Sequence, residues 1–190
     1  DPQDAARRVE EFVEALSNWY VRRSRRRFWK SESDEDKLAA HHTLYECLVT
    51  LTKLVAPAIP FLAEEMHQNL VRSVDAGAPE SVHLCDWPVA DESKVDAELA
   101  QATQLAMRVA SLGRAARSKA KTRVRQPLGA ILVRTKTPEE AVALRRVADQ
   151  VLDELNVKSR VPLGDEGQVV EHQVQANLAL LGPKYGPQAQ

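Results

Sequence analysis

The chain has 190 residues, enough for one ordinary domain or two small ones, and its 44% hydrophobic residues can form a buried core. Twenty-six basic and 27 acidic side chains give a formal net charge of -1, so the total charge alone points to no nucleic-acid or membrane partner. No run of about 18 apolar residues occurs, which excludes a membrane-spanning helix, and the first residues lack the pattern of a signal peptide. Two cysteines, Cys47 and Cys85, are too few for a disulfide framework and favour reduced thiols in a cytoplasmic protein.

The spacing of apolar residues predicts three helices in the first half of the chain. The first covers about residues 2–28. The second is capped by Ser33 or Asp34 and ends at Pro57, because proline interrupts a helix. The third covers about residues 61–74. Its inward face is predicted to consist of Phe61, Leu62, Met66 and Leu70.

A long connection and a fourth helix are predicted next. Residues 75–93 contain glycine, prolines and several acids, so they are expected to form a loop in which residues 81–85 are at most a short extended piece. The fourth helix covers about residues 93–120, and four antiparallel helices would make a bundle. Its buried side is predicted to consist of Leu99, Ala102, Leu105, Ala106, Val109, Leu112 and Ala116.

The pattern changes at Pro127, after which strands become the better prediction. Residues 130–133 have the short apolar run of a buried strand, and residues 138–155 form a helix with Asn156 as its C-cap. Two further strands are predicted at residues 157–163 and 168–174, joined by a hairpin turn at 164–167. The predicted fold class is therefore mainly α. A helical bundle covers residues 1–126, and a small α+β unit of three strands and one helix covers residues 127–190.

One stretch of the first helix contains many basic side chains and no acidic one. No acid lies between Glu14 and Glu32, whereas six basic residues occupy the nine positions 22–30. A spacing of three or four residues places on one side of the helix Arg22, Arg23, Arg26 and Lys30, next to Trp19 and Trp29. Cations beside large aromatic rings suit a nucleic-acid backbone with unstacked bases.

A second acid-free stretch, residues 99–138, contains nine basic residues. The candidate contacts here are Arg114, Arg117, Lys121 and Arg125, which would form a stripe down the fourth helix if that helix extends far enough. A structural role stays open for both stretches. Arginines near a helix C-terminus also interact favourably with the helix dipole or pair with acids elsewhere, Trp19 could be a core aromatic, and Arg125 could make a structural pairing.

The remaining residues predict no catalytic or metal site. His41 and His42 are adjacent and point about 100° apart on a helix, and the histidines and cysteines show no metal-ligand spacing. The seven glycines form no phosphate-binding loop or nucleophile elbow. From the residues alone, the chain is expected to be a binding or accessory module without catalytic residues, metal or cofactor of its own.

Several segments resemble the anticodon-binding region of isoleucyl-tRNA synthetases, which are class I aminoacyl-tRNA synthetases. The string LSNWYVRRSRRRFW at residues 16–29 is similar to the first helix of that region. Further similar strings, in the same order as in the family, are residues 44–46 with 51–54, 56–65, 81–84 with 86–88, 112–117 with 124–128, 154–158 and 181–186. The resemblance covers nearly the whole chain and leans toward the branch with eukaryotic and some bacterial enzymes.

The resemblance implies a bundle that binds the anticodon stem and loop of isoleucine tRNA, with arginines on phosphates and Trp19 or Trp29 on an unpaired base. The family's ATP-site signatures and the zinc-binding cysteine cluster of some members do not occur here. ATP and Mg²⁺ are therefore expected only in a catalytic part of the same synthetase, and this chain is expected to be inactive alone, as a C-terminal fragment or a protein reduced to it. Two alternatives stay open: the equivalent domain of a related synthetase such as valyl, and a helical protein-interaction module that does not bind RNA.

Overall fold

The computed structural model describes residues 1–30 and 33–162. The chain divides into two compact units, unit 1 (Asp1–Val95) and unit 2 (Asp96–Gln190), the latter described as far as Pro162. The predicted turn at 164–167, the strand at 168–174 and the similar string at 181–186 lie outside the described residues. The predicted domain boundary between residues 126 and 127 stays a prediction, because compactness alone does not report which part of a chain folds independently.

The first helical run of unit 1 contains a wide turn that its sequence spacing does not reveal. It consists of α1 (Pro2–Ala15), a π-helical segment (Leu16–Val21) and α2 (Arg25–Lys30). The Ser24 amide donates to the Tyr20 carbonyl at 2.8 Å, and the Phe28 amide donates to the Ser24 carbonyl at 3.0 Å. These bonds have α-helical spacing, so positions 22–30 keep the four-residue repeat of an α-helix.

Two further α-helices, a second π-helical segment and two short 3₁₀ turns complete unit 1. They are α3 (Asp34–Val55), α4 (Pro60–His67), a π-helical segment (Gln68–Arg72), and 3₁₀ turns at Val82–Leu84 and Glu92–Lys94. Ser33 caps α3, because its side chain accepts a hydrogen bond from the Asp36 amide at 3.4 Å. Residues 82–84 form a 3₁₀ turn, whereas the sequence predicted at most a short extended piece at residues 81–85.

The core of unit 1 lies between α3, α4 and the 3₁₀ turn that follows them. Its buried members are Leu51, Val55, Ala56, Ala63 and Val82, with Val9 of α1 packed against them. The predicted inward face of α4 is wrong at Phe61, which is 91% exposed, and at Leu62, which is also exposed. The helix instead buries Ala63 and His67, because the small alanine lets α4 approach α3 and the His67 ring bonds to the Pro79 carbonyl at 2.9 Å.

Unit 2 combines one long helix with a small parallel sheet. Its elements are α5 (Ala97–Lys119), β1 (Leu128–Val133), α6 (Pro138–Arg146), α7 (Ala148–Leu155) and β2 (Val157–Pro162). The strands pair in parallel, with Leu128 opposite Val157. The single helix predicted over residues 138–155 is two helices, because the backbone leaves the helical region at Val147. Asn156 ends α7 in the left-handed conformation, as its predicted role of C-cap requires.

Small residues on α5 bring it close to α6 and α7. Ala102, Ala106 and Ala110 are completely buried, and a Cβ atom built on Gly113 would lie 2.8 Å from Cδ2 of Leu155. The predicted face of α5 is correct for Ala102 and Ala106 but wrong for Leu99, Leu112 and Ala116, which are exposed, and it did not include Ala110. The opposing side of the core consists of Leu144, Val147, Val151 and Leu155. Each such buried side chain stabilises the unit by about 1.5–3 kcal/mol.

The predicted fold class, mainly α with a small α+β part, is confirmed. Helices dominate both units, and the β1 to β2 connection through α6 and α7 supplies the α+β part. Within residues 1–30 and 33–162, no helix has the length and apolar character needed to cross a membrane.

Candidate nucleic-acid interface

The end of the first helical run carries exposed cations and one exposed aromatic ring. Arg22, Arg26 and Lys30 are exposed and lie four residues apart, so they share one side of the helix. Trp29 is 79% exposed. The Arg22 Nε donates to the Asn18 carbonyl at 2.9 Å, which fixes part of its side chain along the helix. These four residues, Arg22, Arg26, Trp29 and Lys30, are called the helix-one surface below.

Contacts with α3 hold the helix-one surface in place. The Tyr20 hydroxyl donates to the Ala40 carbonyl at 3.1 Å. The Phe28 ring meets the His41 ring edge to face, with 5.0 Å between the ring centres. Arg27 and Asp36 form an ion pair at 2.7 Å, and the hydrogen bonds from this pairing raise the pKa of the Arg27 guanidinium. The last turn of the run is therefore braced on the side that carries Tyr20, Arg27 and Phe28.

Trp19 and Arg23 occupy a less exposed position than their neighbours. Trp19 is only 9% exposed, and the Cζ atom of Arg23 lies 5.2 Å from the centre of its ring. A guanidinium at this distance makes a cation–π contact, which uses the ring face that an RNA base would need. The predicted contact of Trp19 and Arg23 with RNA stays a prediction, while Trp29 has an open ring face.

Arg114 and Arg117 of α5 contact the C-terminal end of α7. The Arg114 Nη1 lies 3.1 Å from Oε2 of Glu154, whose carboxylate is buried. Arg117 is only 5% exposed and its Nη2 donates to the carbonyls of Leu155 at 2.7 Å and Asn156 at 3.2 Å. A cation on the last carbonyls of a helix also interacts favourably with the helix dipole. These are contacts that hold the fold, and RNA contact by the two arginines stays a prediction.

The expected helical stripe through Lys121 and Arg125 is wrong, because α5 ends at Lys119. Lys121 has a φ of 52°, and the Thr122 amide donates back to the Arg117 carbonyl at 2.9 Å, which closes the helix. Residues 120–127 form a connection called the exit loop below. Its cations, Lys121, Arg123 and Arg125, are exposed.

Three residues that matter here were not among the predicted site residues: Arg27, Arg123 and Asn156. Sequence spacing could have indicated the burial of Arg117. Ala102, Ala106, Ala110 and Gly113 form a stripe of small residues at helical spacing, and Arg117 continues it by four residues. A stripe of small residues indicates a close helix contact, so an arginine in register with it is expected to be buried.

The described residues give no sign of an activated Cys47 thiol or of a metal centre. Cys47 is half-buried, and burial raises the pKa of its thiol, which disfavours the reactive thiolate. No cluster of three metal-ligating side chains exists within residues 1–30 and 33–162. The chemistry these groups can perform is binding: cations can neutralise phosphates, and an open indole ring can stack on a base.

Fold and surface thus define a mainly α module whose exposed polar groups are suited to binding. Residues 1–133 match the family model described as the anticodon-binding domain of tRNA ligase, and the chain belongs to this family. The resemblance found in the sequence is confirmed.

Three similar curated proteins are named isoleucine–tRNA ligase. One from Dehalococcoides mccartyi (strain CBDB1) is 60% identical over 161 residues, which is 85% of this chain and 16% of the relative. One from Thermus thermophilus is 48% identical over 187 residues, 98% of this chain and 18% of the relative. One from Cutibacterium acnes is 43% identical over 189 residues, 97% of this chain and 16% of the relative. The chain therefore spans less than a fifth of the length of these relatives.

Proposed function

We propose that this chain binds the anticodon stem and loop of isoleucine tRNA as part of an isoleucyl-tRNA synthetase. The observation that carries the proposal is the helix-one surface, where Arg22, Arg26 and Lys30 stand beside the exposed ring of Trp29 on a helix braced by α3. Regular spacing of the cations suits successive phosphates, and the open ring suits an unpaired loop base.

Unit 2 carries a second, separate candidate contact, the exit loop. Lys121 and Arg125 are exposed there and were predicted RNA contacts. Arg114, which is 43% exposed, is paired with Glu154, and Arg117 is buried against α7. Their contacts support a structural role, so the proposal relies on the exposed cations of the helix-one surface and the exit loop.

The proposed role of the whole protein is ligation of isoleucine to its tRNA in the cytoplasm. Activation of the amino acid with ATP and Mg²⁺ is assigned to a catalytic region outside this chain. The residues of this chain bind the anticodon end of the tRNA. This binding positions the other end of the tRNA for the catalytic region. The names of the three relatives described above support this assignment.

A charge-reversal pair tests the proposal on the full 190-residue chain. Replacement of Arg22→Glu with Arg26→Glu should weaken binding of an isoleucine tRNA transcript at least tenfold, because two phosphate contacts become repulsive. The matched control is Arg7→Glu with Arg8→Glu on α1, which changes the net charge equally at exposed positions of the same unit. Equal weakening by the two pairs would contradict an RNA site on the helix-one surface. If the wild-type chain does not bind the transcript, the proposal is overturned.

Exchanged anticodons test the choice of isoleucine tRNA. We expect the chain to bind an isoleucine tRNA transcript more tightly than the same transcript carrying a valine anticodon. A good base-specific contact contributes about 1–3 kcal/mol, so the affinity should differ about tenfold. Tighter binding of the valine anticodon would assign the chain to the valyl branch, and absence of a gel shift with either transcript would favour a protein-interaction module.

A further inference from the structure

The backbone of the exit loop is held by side chains that lie outside it. Nδ2 of Asn156 donates to the carbonyls of Val124 and Arg125, each at 3.1 Å. Nη1 of Arg117 donates to the carbonyl of Arg123 at 3.0 Å. Three consecutive carbonyls of the loop therefore accept hydrogen bonds from two side chains. These are Arg117 of α5 and Asn156 at the end of α7. A backbone bonded at three successive positions has little freedom left to lose.

The two holding residues are themselves fixed in the fold. Arg117 is buried and also donates to the carbonyls of Leu155 and Asn156. Asn156 has left-handed dihedrals, φ 49° and ψ 56°, and its amide donates to the Asp153 carbonyl at 3.2 Å. Its own carbonyl accepts from the Leu128 amide at 3.1 Å, at the start of β1. The arrangement ties the loop to the helix end before it and the strand after it.

The loop held in this way presents a dense positive charge. Lys121, Arg123 and Arg125 are exposed within five positions. Within residues 1–30 and 33–162, the structure pairs none of these three cations with a carboxylate at ion-pair distance. The carbonyls of Arg123 and Arg125 already accept hydrogen bonds from the protein, which lessens the repulsion they would exert on an anion.

We propose that Asn156 and Arg117 are positioning residues, which hold the exit loop in the conformation that binds an RNA phosphate through Lys121, Arg123 and Arg125. The proposal rests on the proposed function, since it assumes that the chain binds tRNA. Its physical basis is preorganisation: a loop that is ordered before binding loses less conformational entropy when the phosphate arrives. Asn156 is the more informative residue to change, because it contacts the loop only through its side-chain amide.

The first variant is Asn156→Gly in the full 190-residue chain. Glycine adopts the left-handed conformation at least as readily as asparagine, so the end of α7 should survive while the two side-chain hydrogen bonds to the loop are lost. We expect isoleucine tRNA transcript to bind about fivefold more weakly, with the urea midpoint nearly unchanged. Wild-type affinity in Asn156→Gly would overturn the positioning role.

A double-variant cycle separates positioning from a general structural effect. In a background with Arg123→Gln and Arg125→Gln, the loss caused by Asn156→Gly should shrink from about fivefold to less than about twofold, because little charge remains to be positioned. The same loss in both backgrounds would overturn the proposal. If Asn156→Gly unfolds unit 2, Asn156→Asp replaces it, since aspartate also tolerates the left-handed region but lacks the donor. Gln126→Glu, at an exposed position of the same loop, then controls for the added negative charge.

The outcomes distinguish this proposal from the proposed function. If the wild-type chain fails to bind the transcript, the proposed function fails and this inference fails with it. If the wild-type chain binds and the cycle shows no coupling between Asn156 and the loop arginines, only the positioning role fails. Coupling in the expected direction supports both.

Discussion

Two stretches of this chain are basic and free of acids, and the fold places the arginines of their helices differently. In unit 1, Arg22, Arg26 and Lys30 stay exposed on a braced helix end. In unit 2, Arg114 and Arg117 turn toward the end of α7, where one pairs with a buried carboxylate and the other bonds to backbone carbonyls. The difference teaches that a run of arginines does not define a binding surface until the apolar and small residues of the same helix have been placed.

The two units also differ in the side chains that hold a loop by hydrogen bonds. In unit 1, Glu64 accepts hydrogen bonds from the Ser81 hydroxyl at 2.7 Å and from the Val82 amide at 3.1 Å, which ties the long connection to α4. In unit 2, Arg117 and Asn156 donate to the carbonyls of the exit loop. The loop is therefore held by an acceptor side chain in unit 1 and by donor side chains in unit 2.

The largest expected loss of stability follows the replacement Arg117→Met. The change keeps most of the side-chain volume but removes the side-chain donor to the carbonyls of Arg123 and Leu155 and one of two donors to the Asn156 carbonyl, at a cost of about 2–3 kcal/mol. Urea unfolding of the full chain measures it. The control is Arg108→Met at an exposed position of the same helix, which should change the unfolding free energy by less than about 0.5 kcal/mol. Equal effects would mean that Arg117 is no more structural than Arg108.

A somewhat smaller loss is expected for Gly113→Ala. The added Cβ would overlap the buried Leu155 side chain, a strain of about 1–3 kcal/mol that the gain of about 1 kcal/mol in helix propensity partly offsets. Gly129→Ala is the matched control, because a Cβ at that position meets nothing within 4 Å. Thermal unfolding of both variants should show a lower midpoint only for Gly113→Ala, and unchanged stability there would contradict the close approach of α5 and α7.

The sequence predicts some of these structural features and misses others. The caps Ser33 and Asn156 were predictable because a cap depends on local backbone chemistry. The burial of Arg117 was not predicted, because a charged residue type suggests solvent unless the helix face is known. The exposure of Phe61 was missed for the opposite reason, since an aromatic residue type suggests burial. Both errors concern the rotation of a helix about its axis, which tertiary packing decides.

The candidate site was predictable in outline and less so in detail. Residue types and helical spacing together indicated the helix-one surface, because six of nine successive positions are basic and no acid lies between Glu14 and Glu32. Nothing in the sequence showed the bonds from Asn156 to the exit loop, since 31 and 32 positions separate the partners. Contacts between distant residues depend on the parallel pairing of β1 and β2, which brings the end of α7 beside the start of β1.

Acid should weaken the hydrogen bonds by which Glu64 holds the long connection of unit 1. Hydrogen bonds from Gln68, then Ser81 and Val82, lower the pKa of Glu64 below its ordinary value. A lowered folded-state pKa means that this stabilisation is fully present above the unfolded pKa, about 4.3, and is lost as pH falls through the folded value.

The variant Glu64→Gln measures that contribution. Its unfolding free energy should fall below that of wild type at neutral pH, and the difference should narrow as pH drops below about 4. Ser81→Ala, which removes one donor to Glu64, should show a smaller difference with the same trend. A difference that is constant with pH would contradict the assignment of the lowered pKa to these bonds.

The most direct test of the contrast between the two basic stretches is the salt dependence of tRNA binding. Isoleucine tRNA transcript is titrated with wild-type chain, Arg22→Gln with Arg26→Gln, and Arg114→Gln across a range of salt concentrations. Each lost phosphate contact should lower the slope of log affinity against log salt by about 0.7–0.9, so the double variant should lose about 1.4–1.8. Arg114→Gln should keep the wild-type slope and unfold at a lower urea concentration. An unchanged slope in the double variant, or the same loss of slope in Arg114→Gln, would contradict the account.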